Sequence, residues 1–245
     1  MQKRQIGQQT ISYHTMGEGE PVLLVHGLSG SWRWWRRNTH ALAQHYQLYL
    51  IDLPGFGKMR FERRRFDLDE VASSLVVWMD TVGMNQVHLI GHSMGGYICL
   101  WIAAHHPERV KDVVLISPAG LPHQPSLSGY LLPLLMTIST LKPQFLPLLI
   151  ADALRAGPRI IIQAARDLLT KDIRADLQGT STPTLLIWGA EDSLVPPALG
   201  EVLRQQIPHA HLLVLNKAGH VAMFDQPDQF NNAVLAFLAG NVVGA

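Results

Sequence analysis

The chain has 245 residues, 47% of them apolar, which is enough to bury the core of one domain with or without an insertion. Its formal net charge of +1 excludes a global field that would attract nucleic acid or an anionic membrane. The single cysteine, Cys99, has no intramolecular disulfide partner, and the first residues lead into no apolar segment of signal-peptide length. We therefore expect a cytoplasmic protein, with Cys99 as a small buried hydrophobic residue.

Short apolar runs alternate with longer amphipathic segments, which indicates a mostly parallel sheet with crossover helices. Before the first run, residues 5–14 alternate like a half-exposed strand or one arm of a hairpin. Helical spacing predicts helices over residues 71–82, 94–106 and 229–238, the first with Asp67 as its cap and Glu70 three residues later. Buried strands are predicted at residues 21–25, 48–51, 87–90, 113–116, 184–187 and 211–215.

The interval from Leu121 to Leu177 breaks this rhythm, because it contains several prolines, many leucines and no convincing strand. We interpret it as a helical cap inserted into a core domain of residues 1–120 and 178–245, since a simple connection between strands needs far fewer residues. The alternative is a set of additional core helices. Residues 130–151 are long enough to span a bilayer, but three prolines and a lysine interrupt them, so broken helices without stable membrane insertion are expected.

The predicted strand at residues 87–90 runs directly into Gly91-His92-Ser93-Met94-Gly95 and then into an apolar helix. A strand-to-helix turn with the spacing Gly-x-Ser-x-Gly is so tight that the residues two before and two after the serine must lack side chains. Such a turn holds the serine exposed at the helix N-terminus. There the backbone N–H of Met94 can stabilise an oxyanion, assisted by the helix dipole. Ser93 is therefore the candidate nucleophile.

A serine hydroxyl needs a positioned base, and the base needs an orienting carboxylate. Asp192 follows the predicted strand at 184–187, and His220 follows the strand at 211–215. Because catalytic groups collect at the carboxyl ends of parallel strands, we expect both side chains to meet Ser93. Glu191 is the competing acid, and Asp192 is preferred because it immediately precedes the turn at residues 193–197.

With Val25-His26-Gly27-Leu28 after the first core strand and Asp52 to Gly57 after the second, the chain resembles the α/β-hydrolase superfamily over nearly its whole length. It is most similar to small carboxylesterases with a His-Gly oxyanion loop. The resemblance implies an eight-stranded, mostly parallel sheet with flanking helices and a small helical cap. It also implies the backbone N–H of Leu28 as the second oxyanion donor. His26 and His92 are expected to bond to backbone near the site, and residues 52–57 to shape a loop beside it.

The implied activity is that of a serine esterase, which cleaves small-molecule esters of small to medium apolar acyl groups through an acyl-enzyme intermediate. Neither a metal nor an organic cofactor is expected, because the mechanism requires none and no Cys/His cluster has metal-ligand spacing. One alternative is a carbon–carbon bond hydrolase of the same fold. Those relatives usually have Trp directly after the catalytic histidine, where this chain has Val221. A non-catalytic ligand receptor is the other alternative. The sequence does not define the oligomeric state.

Residues 32–37 interleave tryptophans with arginines, and Arg60, Arg63, Arg64 and Arg65 follow, a pattern that nucleic-acid binding would also produce. We favour a helix after the oxyanion loop, with the arginines in solvent and no nucleic-acid partner, because the net charge is nearly zero. The residues expected to face the core are Trp32, Trp35, Thr39 and Leu42.

The cap supplies apolar residues that either line an acyl pocket or form the core of the cap itself. These residues are Leu131, Leu132, Leu134, Leu135, Met136, Phe145, Leu148 and Leu149. Met223 and Phe224, just after His220, are further candidates for the border of the pocket.

Overall fold

The computed structural model describes residues 1–6, 9–58, 66–121, 126–175, 177 and 180–241, and these form one eight-stranded sheet. The strand order is β1-β2-β4-β3-β5-β6-β7-β8 in the numbering given by the following bounds. They are β1 (Gln2–Ile6), β2 (Gln9–Met16), β3 (Pro21–Val25), β4 (Gln47–Asp52), β5 (Val87–His92), β6 (Val110–Ile116), β7 (Thr184–Gly189) and β8 (His211–Leu215).

The sheet is parallel from β4 to β8, and β1 and β2 form an antiparallel hairpin added at one edge. The predicted eight-stranded, mostly parallel sheet is therefore confirmed. The alternation at residues 5–14 is divided between the two arms of that hairpin. Every predicted buried strand is present, and four of the six are longer than predicted.

Both faces of the sheet are covered, as the apolar runs of the parallel strands require. Along β3, Leu23 and Val25 pack into one core cluster, and Val22 and Leu24 pack into the other. The layers are made by helices whose bounds are α1 (Thr39–Leu42), α2 (Leu68–Thr81), α3 (Met94–His105), α4 (Leu131–Thr140), α5 (Leu146–Ala156), α6 (Pro158–Thr170), α7 (Ala198–Gln206), α8 (Ala222–Asp225) and α9 (Pro227–Leu238).

The start of α2 confirms the predicted cap. The Asp67 carboxylate accepts hydrogen bonds from the backbone N–H groups of Asp69 and Glu70, two donors that the helix itself leaves unpaired. The predicted helices at residues 94–106 and 229–238 are also present, as α3 and α9.

The single helix predicted after the oxyanion loop is wrong. The segment forms a 3₁₀ turn at Trp32–Trp35 and the short α1, with turns between them. Trp34 is buried with Trp35, whereas Trp32 is half-buried. Trp34 is enclosed because its Nε1–H donates to Asp152 and its ring packs edge-on against Phe145. Of the neighbouring arginines, only Arg36 is exposed. Arg60, Arg63, Arg64 and Arg65 lie outside the described residues.

Between β6 and β7, the described part of the chain holds α4, α5 and α6 and no strand, as the cap hypothesis expects. Residues 122–125, 176, 178 and 179 of that interval lie outside the described residues. Ile160 and Ala164 of α6 pack into the same core cluster as the sheet. The division into a core domain and a cap at residues 121–177 stays a prediction. No helix in the described ranges is long and apolar enough to cross a membrane.

Candidate active site

Ser93 occupies the turn between β5 and α3 in a sparsely populated backbone conformation, with φ 52° and ψ −113°. Three backbone hydrogen bonds hold it there: its N–H donates to Ile116, and its carbonyl accepts from Tyr97 and Ala119. Since these partners belong to α3 and to β6 and its exit, the surrounding fold maintains the strain. Met94 begins α3, so its N–H lies at the positive end of the helix.

Glycines make the turn possible because neighbouring atoms occupy the space that a side chain would need. A Cβ at Gly91 would lie 2.4 Å from the Gly95 carbonyl oxygen, and one at Gly95 would lie 2.2 Å from the Val25 carbonyl oxygen. A Cβ at Gly27 would lie 3.2 Å from the Ser93 Cβ. The turn that contains Leu28 therefore packs directly against Ser93, as an oxyanion loop requires.

His220 and Asp192 meet as predicted, with His220 Nδ1 2.9 Å from Asp192 Oδ2 and both side chains buried. The other carboxylate oxygen accepts from the N–H groups of Leu194 and Val195 at 3.0 and 2.9 Å. Burial alone would raise the pKa of Asp192, but the neighbouring His220 and the Val195 N–H hold it below its usual range. Asp192 is thus ionised near neutral pH and fixes the His220 proton on Nδ1, which leaves the Nε2 lone pair as the acceptor. Glu191 is exposed.

Two further histidines bond to backbone, as predicted. Burial and, secondarily, the nearby His220 lower the pKa of His92 to about 3. His92 is therefore neutral, and its Nε2–H donates to the His220 carbonyl oxygen at 2.9 Å. His26 Nδ1–H donates to the Gly27 carbonyl at 2.8 Å, and its Nε2 accepts from the Leu53 N–H at 3.0 Å. His92 thus joins the nucleophile turn to the His220 loop, and His26 joins the oxyanion turn to the loop that follows β4.

The segment from Asp52 to Gly57 is a loop former, in agreement with the sequence. The Asp52 carboxylate accepts from the N–H groups of Trp32 and Lys58, both at 2.9 Å. Gly57 has φ +58°, and a Cβ there would overlap the Asp52 carboxylate. The loop thereby holds the start of the 3₁₀ turn that follows the oxyanion loop.

Ser93 and His220 open into a cavity of about 400 Å³ whose walls are mainly apolar. Leu28, Val195 and Val221 line it from the loops of the sheet. The segment predicted as a cap, residues 121–177, contributes Leu121, Tyr130, Leu131, Leu134, Thr137, Ile138, Leu141, Phe145, Leu149, Ile161, Ala165, Leu168 and Leu169. No lysine or arginine is among the lining residues in the described ranges.

The prediction of pocket residues was half right. Leu131, Leu134, Phe145 and Leu149 line the cavity. Three others, Leu132, Leu135 and Met136, are exposed on the outside of α4. Leu148 is buried in the core with Met223 and Phe224, and none of these three lines the pocket. The difference arises because helix rotation, which the sequence does not specify, decides which leucines face inward.

Sequence reasoning missed Asp152, which is fully buried in α5 at 0% exposure. One carboxylate oxygen accepts from Ser31 Oγ at 2.7 Å and from Trp34 Nε1 at 3.2 Å. The other bonds to the guanidinium groups of Arg33 and Arg155. Asp152 therefore ties α5 to the segment after the oxyanion turn. The signal in the sequence is a lone acid in the otherwise apolar run LPLLIADALRA.

These features agree with the match of residues 20–157 and 147–227 to the family model described as alpha/beta hydrolase fold. The chain belongs to the α/β-hydrolase fold family. A solved esterase from Thermogutta terrifontis has the same fold, with a TM-score of 0.84 at 24% identity over 94% of this chain and 93% of that one.

The curated relatives have several activities. The chain is 30% identical to the dihydrolipoyllysine-residue acetyltransferase component of the acetoin cleaving system of Pseudomonas putida, over 97% of this chain and 69% of the relative. It is 26% identical to a pimeloyl-[acyl-carrier protein] methyl ester esterase of Nitrosospira multiformis, over 95% of this chain and 99% of the relative. It is 30% identical to a 2-hydroxy-6-oxononadienedioate/2-hydroxy-6-oxononatrienedioate hydrolase of Burkholderia vietnamiensis, over 93% of this chain and 90% of the relative.

The two adjacent acids allow a matched test of the His220 partner. We expect Asp192→Asn to lower kcat for an ester by at least roughly a hundredfold, because it removes the carboxylate that fixes the His220 tautomer. Glu191→Gln should leave kcat within about twofold, since that side chain is exposed. Steady-state hydrolysis of p-nitrophenyl butyrate measures both. A larger loss at Glu191 would reassign the acid.

Removal of the Asp152 carboxylate should weaken the attachment of α5 to residues 31–34. Asp152→Ala leaves Ser31 Oγ and Trp34 Nε1 without their acceptor, so we expect the free energy of unfolding to fall by about 2–4 kcal/mol. Asp152→Asn keeps an acceptor oxygen, so its free energy of unfolding should fall less than that of Asp152→Ala. Asp172→Ala, which removes an exposed cap acid paired with Arg174, is the control and should change little. Urea denaturation gives the comparison, and equal losses at Asp152 and Asp172 would refute the role of the buried acid.

Proposed function

We propose that the protein is a serine esterase that cleaves esters of small to medium apolar acyl groups through an acyl-enzyme intermediate. The observation that carries the proposal is the pairing of His220 with Asp192 beside Ser93, at the wall of one apolar cavity. Ser93 is the nucleophile, His220 the general base and Asp192 the orienting acid. We also propose a cytoplasmic location and a small-molecule substrate, without a nucleic-acid partner.

In the first step, Ser93 Oγ attacks the acyl carbon while His220 Nε2 takes the hydroxyl proton. The carbonyl oxygen becomes an oxyanion, which the backbone N–H groups of Leu28 and Met94 stabilise. When the tetrahedral intermediate collapses, the bond between the acyl carbon and the alcohol oxygen breaks, and His220 returns the proton to the leaving alcohol.

In the second step, His220 takes a proton from water, and the resulting hydroxide attacks the acyl carbon. The Ser93 ester bond then breaks, and the proton passes to Ser93 Oγ as the acid leaves. Throughout, Asp192 stabilises the imidazolium. The carbonyl of His220 stays fixed by neutral His92, so the ring returns to the same place for each proton transfer.

The composition of the cavity supports an uncharged acyl group. Its polar side chains are few, and the described lining has no lysine or arginine to bind a substrate carboxylate. A carbon–carbon bond hydrolase for dioates, the activity named for one relative, is the second candidate because that relative is 30% identical. Such a substrate would bring negative charges into a cavity without a cationic partner, at a high desolvation cost.

The nucleophile has a direct test that also separates an enzyme from a ligand receptor. We expect Ser93→Ala to lower hydrolysis of p-nitrophenyl butyrate by at least about a thousandfold while the protein stays folded, because the hydroxyl makes little packing contribution. Circular dichroism monitors the fold. Wild-type protein without ester hydrolysis would support the receptor, and an active variant would require another nucleophile.

The selectivity of the cavity has its own test. Across p-nitrophenyl esters from acetate to palmitate, we expect kcat/KM to rise with acyl length to a medium-chain maximum and then fall, since added methylenes gain burial until the cavity is filled. The nonadienedioate substrate should be cleaved far more slowly than the best ester. The opposite order would favour carbon–carbon bond hydrolysis.

A further inference from the structure

Helix α4 carries apolar side chains on most of its surface. Its sequence LLPLLMTIST contains no charged residue and only three hydroxyl residues, Thr137, Ser139 and Thr140. Leu131, Leu134 and Ile138 face the cavity. A helix with so much apolar surface is normally buried. In this structure only Thr137 of α4 is buried, so most of the helix lies against solvent.

The outer side of α4 is formed by Leu132, Leu135 and Met136, which are 66%, 64% and 50% exposed. Helical geometry places them on one face, turned away from the residues that line the cavity. Leu131 both lines the cavity and is 61% exposed, so it lies at the mouth. An apolar surface therefore continues around α4 from the outside of the molecule into the proposed acyl pocket.

The exposed charged side chains of α4, α5 and α6 are all cationic, and the exposed Asp172 that follows α6 is paired with Arg174. Between residues 126 and 170, both carboxylates, Asp152 and Asp167, are buried. The exposed charged side chains in the same range are Arg155, Arg159 and Arg166. The outer surface of α4, α5 and α6 thus combines apolar and cationic groups, which complements an anionic lipid surface.

We propose that this surface docks on an anionic lipid bilayer, with Leu132, Leu135 and Met136 inserted among the acyl chains. The cavity mouth at Leu131 then faces the lipid, and an ester dissolved in the bilayer reaches Ser93 without crossing water. This route for the substrate rests on the proposed esterase function. The docking itself does not.

A lipid phase fits the outer face of α4 better than a protein does. The Ser139 hydroxyl on that side already donates to the Met136 carbonyl, so the face offers little for hydrogen bonding. Protein interfaces carry about one hydrogen bond per 100–200 Å², whereas acyl chains need none.

Vesicle binding of the full chain tests the docking without any substrate. We expect co-sedimentation with vesicles of phosphatidylcholine and phosphatidylglycerol, weakened at least roughly tenfold by Leu132→Gln with Leu135→Gln. The control is Val77→Gln with Val202→Gln, which changes two exposed apolar residues on α2 and α7. It should bind like the wild type. Neither pair lines the cavity, so hydrolysis of dissolved p-nitrophenyl butyrate should stay unchanged.

The charge contribution is measured separately with Arg159→Gln and Arg166→Gln. We expect each to weaken binding by roughly fivefold, and added salt or omission of phosphatidylglycerol to weaken it further. Wild-type protein that does not bind vesicles, or equal binding of the α4 variant and its control, would overturn the proposal. So would a dimer in light scattering that only the α4 variant dissociates. Vesicle binding without ester hydrolysis would instead retain the docking and reject the esterase.

Discussion

The close approach of the β5–α3 turn to the end of β3 is the constraint on which the site depends. Gly95 lies so near the Val25 carbonyl that a methyl group would overlap it, and a Cβ at Gly27 would lie 2.7 Å from His92 Nδ1. Because the central strands β3 and β5 are neighbours, the turn at Ser93 and the turn at Leu28 emerge side by side. Any residue with a side chain at these glycines would force apart the two turns that supply the proposed nucleophile and oxyanion donors.

The strands and the candidate catalytic residues were predictable because they depend on rules that act over short stretches of chain. Short apolar runs and the turns that flank them define each strand. Because the strands are parallel, their carboxyl ends bring Asp192 and His220 to the same edge of the sheet. The pairing of the two side chains, observed at 2.9 Å, was expected from the places where β7 and β8 end together with the turn that follows Asp192.

What the sequence did not predict depends on packing between distant segments. The 3₁₀ turn at residues 32–35 forms where Asp152, more than a hundred residues away, accepts from Ser31 and Trp34. Similarly, Leu131 and Leu132 are adjacent and chemically equal, yet only Leu131 lines the cavity. The orientation of α4 decides between them, and hydrophobicity alone contains no information on that orientation.

The buried acids show how a nearly neutral chain acquires a cationic outer surface. Asp152 is enclosed by donors from the core, and Asp167 accepts from the Leu68 N–H at the start of α2. Both carboxylates are buried where α5 and α6 contact the rest of the protein, whereas the arginines of the same helices are exposed. Attachment of these helices and the charge of their outer face therefore have one physical origin. The net charge of +1 counts buried acids and exposed arginines alike, so it does not reveal that the exposed charges of these helices are cationic.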